Sequence, residues 1–104
     1  MTQSLDYDED ASRRLEEMYL TSDVAAQRRA VVEALDISPG ERVLDVGSGP
    51  GFLVAEMAEA VGPSGVVYGV DVSEIMVAMA RKRCENLPSA RLEVGPAFAK
   101  NARA

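Results

Sequence analysis

Apolar residues follow two spacings along the chain, and the two spacings predict different secondary structures. Helical spacing predicts four helices, expected at 11–20, from the capping residues 21–23 to about Leu35, at 52–61 and at 74–85. Short apolar runs predict three strands, expected at 43–46, 66–70 and 90–94. Strands and helices alternate from residue 43 onward, which predicts an α/β fold with a parallel sheet. Right-handed crossovers would place its strands in the order 3-2-1.

The first predicted strand leads directly into a glycine-rich turn. Three glycines occupy alternate positions after it: Gly47, Gly49 and Gly51. Glycine allows a sharp exit from the strand and removes side chains where a ligand or a neighbouring strand comes close. The helix expected from Phe52 would direct its free N–H groups and its positive dipole end toward this turn. A strand, glycine turn and helix in this order predict a binding site.

Asp45 interrupts the apolar run Val43–Val46, which otherwise predicts a strand that is buried on both faces. Burial of a carboxylate is unfavourable unless a donor or a positive charge lies nearby. An acid before the first glycine would repel a phosphate group and attract an ammonium group. The second predicted strand also ends in an acid, Asp71.

The pattern Asp45-x-Gly47-x-Gly49-x-Gly51 resembles motif I of the class I S-adenosylmethionine-dependent methyltransferases. The segment 66–73, with Asp71 at the end of the second strand, is similar to the second motif of the same family. The resemblance extends over roughly residues 20–95. Within the family, it is closest to the methyltransferases of ubiquinone and menaquinone biosynthesis and to the arsenite-type enzymes.

The resemblance implies S-adenosyl-L-methionine as cofactor and assigns eight residues to its binding. They are Asp45, Gly47, Ser48, Gly49 and Gly51 for the methionine part, Asp71 for the ribose, and Val72 or Met76 beside the adenine. Met76 has a structural alternative as a core residue. Further candidates near the methionine end are Tyr19, Thr21 and Arg28, although Tyr19 as a core residue and Arg28 as a solvated charge are the simpler interpretations.

The resemblance predicts a Rossmann-like methyltransferase fold that is incomplete. Residues 1–20 are interpreted as an acidic leader and a short helix, 21–95 as the cofactor-binding half of the domain, and 96–104 as a tail that does not match the family. Pro96 stands where the family usually has an acid that contacts the adenine. Family members continue with strands that would cover the edge of the first strand and supply the acceptor site. No catalytic base is therefore predicted.

Composition excludes several other classes of function. The 104 residues carry a net charge of −6, which disfavours a nucleic-acid surface, and the basic runs 13–14, 28–29 and 81–83 are expected to be solvated helix faces. A single cysteine, Cys84, excludes an internal disulfide, and the lack of histidine argues against a zinc site. The acidic start and the lack of a long apolar stretch predict a cytoplasmic protein without membrane contact.

Two other functions remain open from the residues alone. An acid after the second strand also suits the ribose of NAD, as in an oxidoreductase domain, although Asp45 and the glycine spacing argue against this. A non-catalytic module that dimerises through its exposed first strand is the other. For a methyltransferase, a small-molecule acceptor is expected.

Overall fold

A computed structural model describes residues 9–95 of the chain. Their elements are, in chain order, α1 (Glu9–Tyr19), α2 (Ser22–Leu35), β1 (Arg42–Val46), α3 (Phe52–Val61), β2 (Val66–Asp71), α4 (Glu74–Arg83) and β3 (Ala90–Val94). The predicted helices and strands are confirmed, with ends that differ by two residues or fewer. The predicted leader before residue 9 and the tail 96–104, including Pro96, lie outside the described residues.

The three strands form one parallel sheet in the order β1-β2-β3, which confirms the predicted order. In the register of the sheet, Asp45 lies beside Gly69, and Val46 lies beside Val70. Asp71 follows Val70, so β1 and β2 both end at the same edge of the sheet. The turn after β1 and the acid at the end of β2 are therefore neighbours.

Side-chain caps begin two of the helices, and the first of them lies among the predicted capping residues 21–23. The Thr21 hydroxyl accepts a hydrogen bond from the Val24 N–H at 3.4 Å at the start of α2. The Ser73 hydroxyl accepts one from the Met76 N–H at 3.2 Å at the start of α4. The α4 helix ends at Arg83, two residues before the predicted end. A turn follows it, in which the Leu87 N–H donates to the Cys84 carbonyl.

The core lies between the sheet and the helices α3 and α4, which pack on the same face of the sheet. Its largest fully buried side chains belong to these elements and include Val54, Met57, Val61, Val67, Met76 and Val77. Gly69 in the central strand allows the close packing, since a Cβ there would lie 2.7 Å from Leu92 Cδ1 and 3.0 Å from Val54 Cγ2. This layer supports the turn after β1 from one side.

The opposite face of the sheet is open within residues 9–95. Leu44 is 48% exposed and Val46 is 43% exposed, and Tyr68 on β2 is also exposed. The prediction that β1 is buried on both faces is therefore wrong for this part of the chain. Its side chains are apolar on both faces, but α3 and α4 cover only one of them. None of the described helices is both long and apolar enough to cross a lipid bilayer.

Candidate functional site

The turn between β1 and α3, residues 47–51, is attached to the end of β2 through its N–H groups. The N–H groups of Gly47 and Ser48 both donate to the Val70 carbonyl, at 2.7 and 3.0 Å. The Gly49 N–H donates to Asp71 Oδ2 at 2.9 Å. These bonds place the turn, which we call the glycine loop, directly over the end of the neighbouring strand.

The carbonyl side of the glycine loop rests on α4. Arg83 Nη1 donates to the Pro50 carbonyl at 3.2 Å. A Cβ on Gly51, whose φ is +91°, would lie 2.7 Å from Ala80 Cβ and 2.8 Å from Ala80 Cα. Gly51 was expected to contact the cofactor. In the structure α4 occupies the space that a side chain at Gly51 would need, so the packing of α4 on the loop requires glycine here.

The other two glycines face away from the core. Gly47 has a φ of +76°, and a Cβ built on it would meet no atom within 4 Å. Gly49 has a φ of +60°, and a Cβ on it would lie 3.5 Å from the Tyr19 hydroxyl. Gly47 therefore adjoins open space, and Gly49 lies under the end of α1.

The two acids predicted from the sequence lie together at this edge. Burial raises the pKa of the Asp45 carboxyl above its ordinary value, and the nearby Asp71 carboxylate raises it further. Asp71 accepts hydrogen bonds from Gly49 N–H on Oδ2 and from Ser73 N–H on Oδ1, both at 2.9 Å. A positive group between these carboxylates would relieve their mutual repulsion.

A cavity of about 500 Å³ opens beside the glycine loop, a volume in the range of ligand sites. It is lined from the helices by Met18, Tyr19, Val24, Gln27, Arg28 and Val31, and from the sheet side by Asp45, Gly47, Ser48 and Leu53. Ser48 is 7% exposed, and its hydroxyl oxygen finds no hydrogen-bond partner among the described residues. The Asp45 carboxylate at this end of the cavity suits the ammonium group of an amino-acid moiety.

Arg28 is not available to a ligand carboxylate in the way the sequence suggested. Its Nε lies 2.6 Å from Glu56 Oε2, and its Nη1 donates to the Tyr19 carbonyl at 3.0 Å. The side chain is 11% exposed, so it is also not a solvated charge. Thr21 serves as the α2 cap, and its hydroxyl donates to the Met18 carbonyl at 2.8 Å. Both residues therefore hold the end of α1 in place.

The two residues expected near an adenine differ in position. Val72 follows Asp71 at the edge of the sheet and is half-buried. Met76 is fully buried in the first turn of α4, which favours its alternative interpretation as a core residue. No group of three or more His, Cys, Asp or Glu side chains within residues 9–95 is arranged to hold a metal ion.

Sequence reasoning missed Arg83, which belongs to a basic run interpreted as a solvated face. Its side chain is only 21% exposed, and its guanidinium carbon lies 3.6 Å from the centre of the Phe52 ring. It also forms an ion pair with Glu16 of α1. The sequence offered only its place as a basic residue in the last turn of α4, and gave no sign of these contacts.

Comparison with known proteins identifies the same region. A family model described as a methyltransferase domain matches residues 37–101. An uncharacterized 37.1 kDa protein of a Streptomyces fradiae transposon is 43% identical over 81 residues, covering 78% of this chain and 24% of that protein. A demethylmenaquinone methyltransferase of Bacillus mycoides is 36% identical over 69 residues, covering 66% and 29%. An rRNA 2'-O-methyltransferase fibrillarin of Dictyostelium discoideum is 35% identical over 71 residues, covering 64% and 21%.

Solved structures share the fold. A protein-L-isoaspartate O-methyltransferase superposes with a TM-score of 0.62 at 26% identity, covering 71% of this chain and 24% of that one. A methyltransferase from Geobacter sulfurreducens in complex with S-adenosyl-L-homocysteine superposes with a TM-score of 0.60 at 30% identity, covering 76% and 31%. This chain therefore spans less than a third of each of these relatives and structures. They give no support to an NAD-dependent or a non-catalytic function.

Proposed function

Because the chain belongs to the class I S-adenosylmethionine-dependent methyltransferase family, we propose that residues 21–95 bind this cofactor and present its methyl group to an acceptor. S-adenosyl-L-methionine is the cofactor of this family. One observation carries the proposal for this chain. Asp45 and Asp71 lie together at one end of the sheet, around a glycine-rich loop and beside a cavity of about 500 Å³.

The methionine part of the cofactor would occupy the cavity beside Asp45, Gly47, Ser48 and Gly49. Its ammonium group suits Asp45, because a positive charge there offsets both burial and the repulsion from Asp71. Ser48 would line the cavity beside this group. The open space at Gly47 leaves room for the ligand.

The ribose would bind to Asp71. An ionised carboxylate can accept about four hydrogen bonds. Asp71 uses one acceptor site on each oxygen for the amides of Gly49 and Ser73, so sites remain for two hydroxyl groups. Val72 lies next along the chain, beside the position expected for the adenine. Gly51 and Met76 would contribute through packing, by holding the loop on α4 and the start of α4 in the core.

For methyl transfer, these residues would act by binding and orientation. The bound cofactor supplies an activated methyl group, and the protein aligns it with the acceptor. The cavity wall formed by Asp45, Ser48 and Tyr19 would hold the methionine end of the cofactor, while Asp71 would hold its nucleoside end. The methyl group between the two ends would then be held in one direction.

The acceptor is proposed to be a small molecule, in agreement with the quinone named in the Bacillus relative. The net charge of −6 argues against the RNA named in the fibrillarin relative, because RNA binding requires clustered positive charge. A cytoplasmic location without membrane contact stays a prediction.

The exposed first strand, β1, is proposed to be covered by a second copy of the chain. Leu44 and Val46 provide the apolar surface for it. Sedimentation would show a concentration-dependent dimer that Leu44→Lys abolishes. A monomer at all concentrations would contradict this part of the proposal.

Calorimetric titration with S-adenosyl-L-homocysteine tests the function. The wild-type protein is expected to bind one ligand, and Asp71→Ala to weaken binding by about 1.5–3 kcal/mol through the loss of charge-assisted hydrogen bonds. Glu93→Ala is the matched control, because it removes an exposed carboxylate of the same sheet. It should leave the affinity unchanged.

Asp71 also supports the glycine loop, so a second variant is needed. Asp45→Asn keeps the size of the side chain and removes its charge, and it should weaken binding while circular dichroism shows an intact fold. Folded wild-type protein that produces no heat with the ligand would refute the proposed function. Wild-type affinity in both Asp71→Ala and Asp45→Asn would refute the assignment of these two residues to the cofactor site.

A further inference from the structure

The helix α1 has few buried residues to hold it against the rest of the protein. Ser12 is its one buried residue among Glu9–Tyr19. Yet α1 ends at Tyr19, which lines the cavity and whose hydroxyl lies close to Gly49. The position of this cavity wall must therefore depend on a small number of side-chain contacts.

Arg83 provides contacts to three separate elements at this point. Its guanidinium donates to the Pro50 carbonyl in the glycine loop and pairs with Glu16 of α1. It also lies over the Phe52 ring at the start of α3, with 3.6 Å between the guanidinium carbon and the ring centre. A planar guanidinium can satisfy all three partners together, which an ammonium group cannot.

The same aromatic ring connects Arg83 to the cavity wall. The Tyr19 ring stacks on Phe52 with 5.3 Å between ring centres and an angle of 5° between their planes. Glu16 and Tyr19 are three residues apart in α1, so they lie on one face of the helix. This face of α1 therefore contacts Arg83 through Glu16 and Phe52 through Tyr19. Phe52 directly follows the glycine loop.

We propose that Arg83 is a positioning residue that couples the placement of α1 to the conformation of the glycine loop, so that cofactor binding and α1 closure support each other. This inference rests on the proposed function for its ligand. The link between Arg83 and α1 itself needs no ligand. Loss of the guanidinium removes the Glu16 and Pro50 contacts together, so α1 is held to the glycine loop less firmly, although Arg28 still bonds the Tyr19 carbonyl.

The test compares Arg83→Met with Lys82→Met. Lys82 lies in the same last turn of α4 and is exposed, and Lys82→Met likewise removes one positive charge. Hydrogen exchange measured by mass spectrometry reports on residues 9–20 and separately on the three strands. Arg83→Met is expected to speed exchange in 9–20 without changing exchange in the strands, whereas Lys82→Met changes neither.

Affinity for S-adenosyl-L-homocysteine should fall about fivefold or more in Arg83→Met, in the range of couplings between linked sites. Glu16→Gln keeps Arg83 and removes only the ion pair, so it gives a second readout if Arg83→Met unfolds. It should speed exchange in 9–20 as well, and ligand should slow that exchange less than in wild type.

The proposal is overturned if 9–20 exchanges at the wild-type rate in both variants, or if folded Arg83→Met binds the ligand with wild-type affinity. A wild-type protein that fails to bind the ligand would refute the proposed function instead. The exchange comparison without ligand would then still decide whether Arg83 holds α1 to the loop.

Discussion

Gly51→Ala is expected to destabilise the fold more than Gly47→Ala, although both glycines belong to one motif. Both residues have a positive φ, +91° and +76°, so alanine at either position adds about 1–2 kcal/mol of backbone strain. At Gly51 the new Cβ would also lie 2.7 Å from Ala80 Cβ and 2.8 Å from Ala80 Cα. The second atom belongs to the backbone of α4 and cannot rotate away.

Overpacking of this kind adds about 1–3 kcal/mol. We therefore expect a loss of about 2–5 kcal/mol for Gly51→Ala and about 1–2 kcal/mol for Gly47→Ala. Urea denaturation followed by circular dichroism measures both values, and Gly47→Ala is the matched control for the backbone term. Each kcal/mol corresponds to about 4–8 °C in the midpoint of thermal unfolding for a domain of this size.

Equal losses for the two variants would refute the reasoning, because they would mean that the contact between Gly51 and Ala80 has no energetic consequence. A larger loss at Gly47 would show that the space around it is filled. Gly47→Ala should weaken ligand binding more than Gly51→Ala does, since of these two glycines only Gly47 lines the cavity.

Two further substitutions test the site and the start of α4. Asp45→Asn should raise the free energy of unfolding at neutral pH. Because the pKa of Asp45 is raised in the folded state, the wild type loses stability as the pH rises above the ordinary carboxyl range. The variant has no carboxyl group at this position and lacks this loss. The advantage of Asp45→Asn should disappear on acidification, as pH-dependent urea denaturation would show. Ser73→Ala should lower stability by about 1 kcal/mol, because the Met76 N–H loses its acceptor, while Ser64→Ala at an exposed turn should not.

The sequence was sufficient to predict the order of elements and the meeting of Asp45 with Asp71. Apolar runs and helical spacing are local properties, and parallel strands with right-handed crossovers bring the ends of adjacent strands to one edge. The resemblance to the class I methyltransferases is confirmed by the match over residues 37–101. These features required no knowledge of side-chain packing.

The sequence could not show what each residue faces. Gly51 matches the motif as well as Gly47 does, but only the packing of α4 distinguishes a packing glycine from one beside the cavity. Arg28 was interpreted as a solvated charge because Glu56, its partner, is 28 residues away. The exposure of Leu44 and Val46 on one face of β1 was also not predictable, because the apolar run gives no sign of which face the helices cover.

The central claim is that the glycine loop and its two acids form the cofactor site. Amide chemical shifts measured by nuclear magnetic resonance during titration with S-adenosyl-L-homocysteine test it most directly. The account predicts the largest shifts in residues 47–49 and 71–73. Residues 62–65, at the opposite end of the strands, should change little. Saturable shifts concentrated at 62–65, or none in the glycine loop, would contradict it.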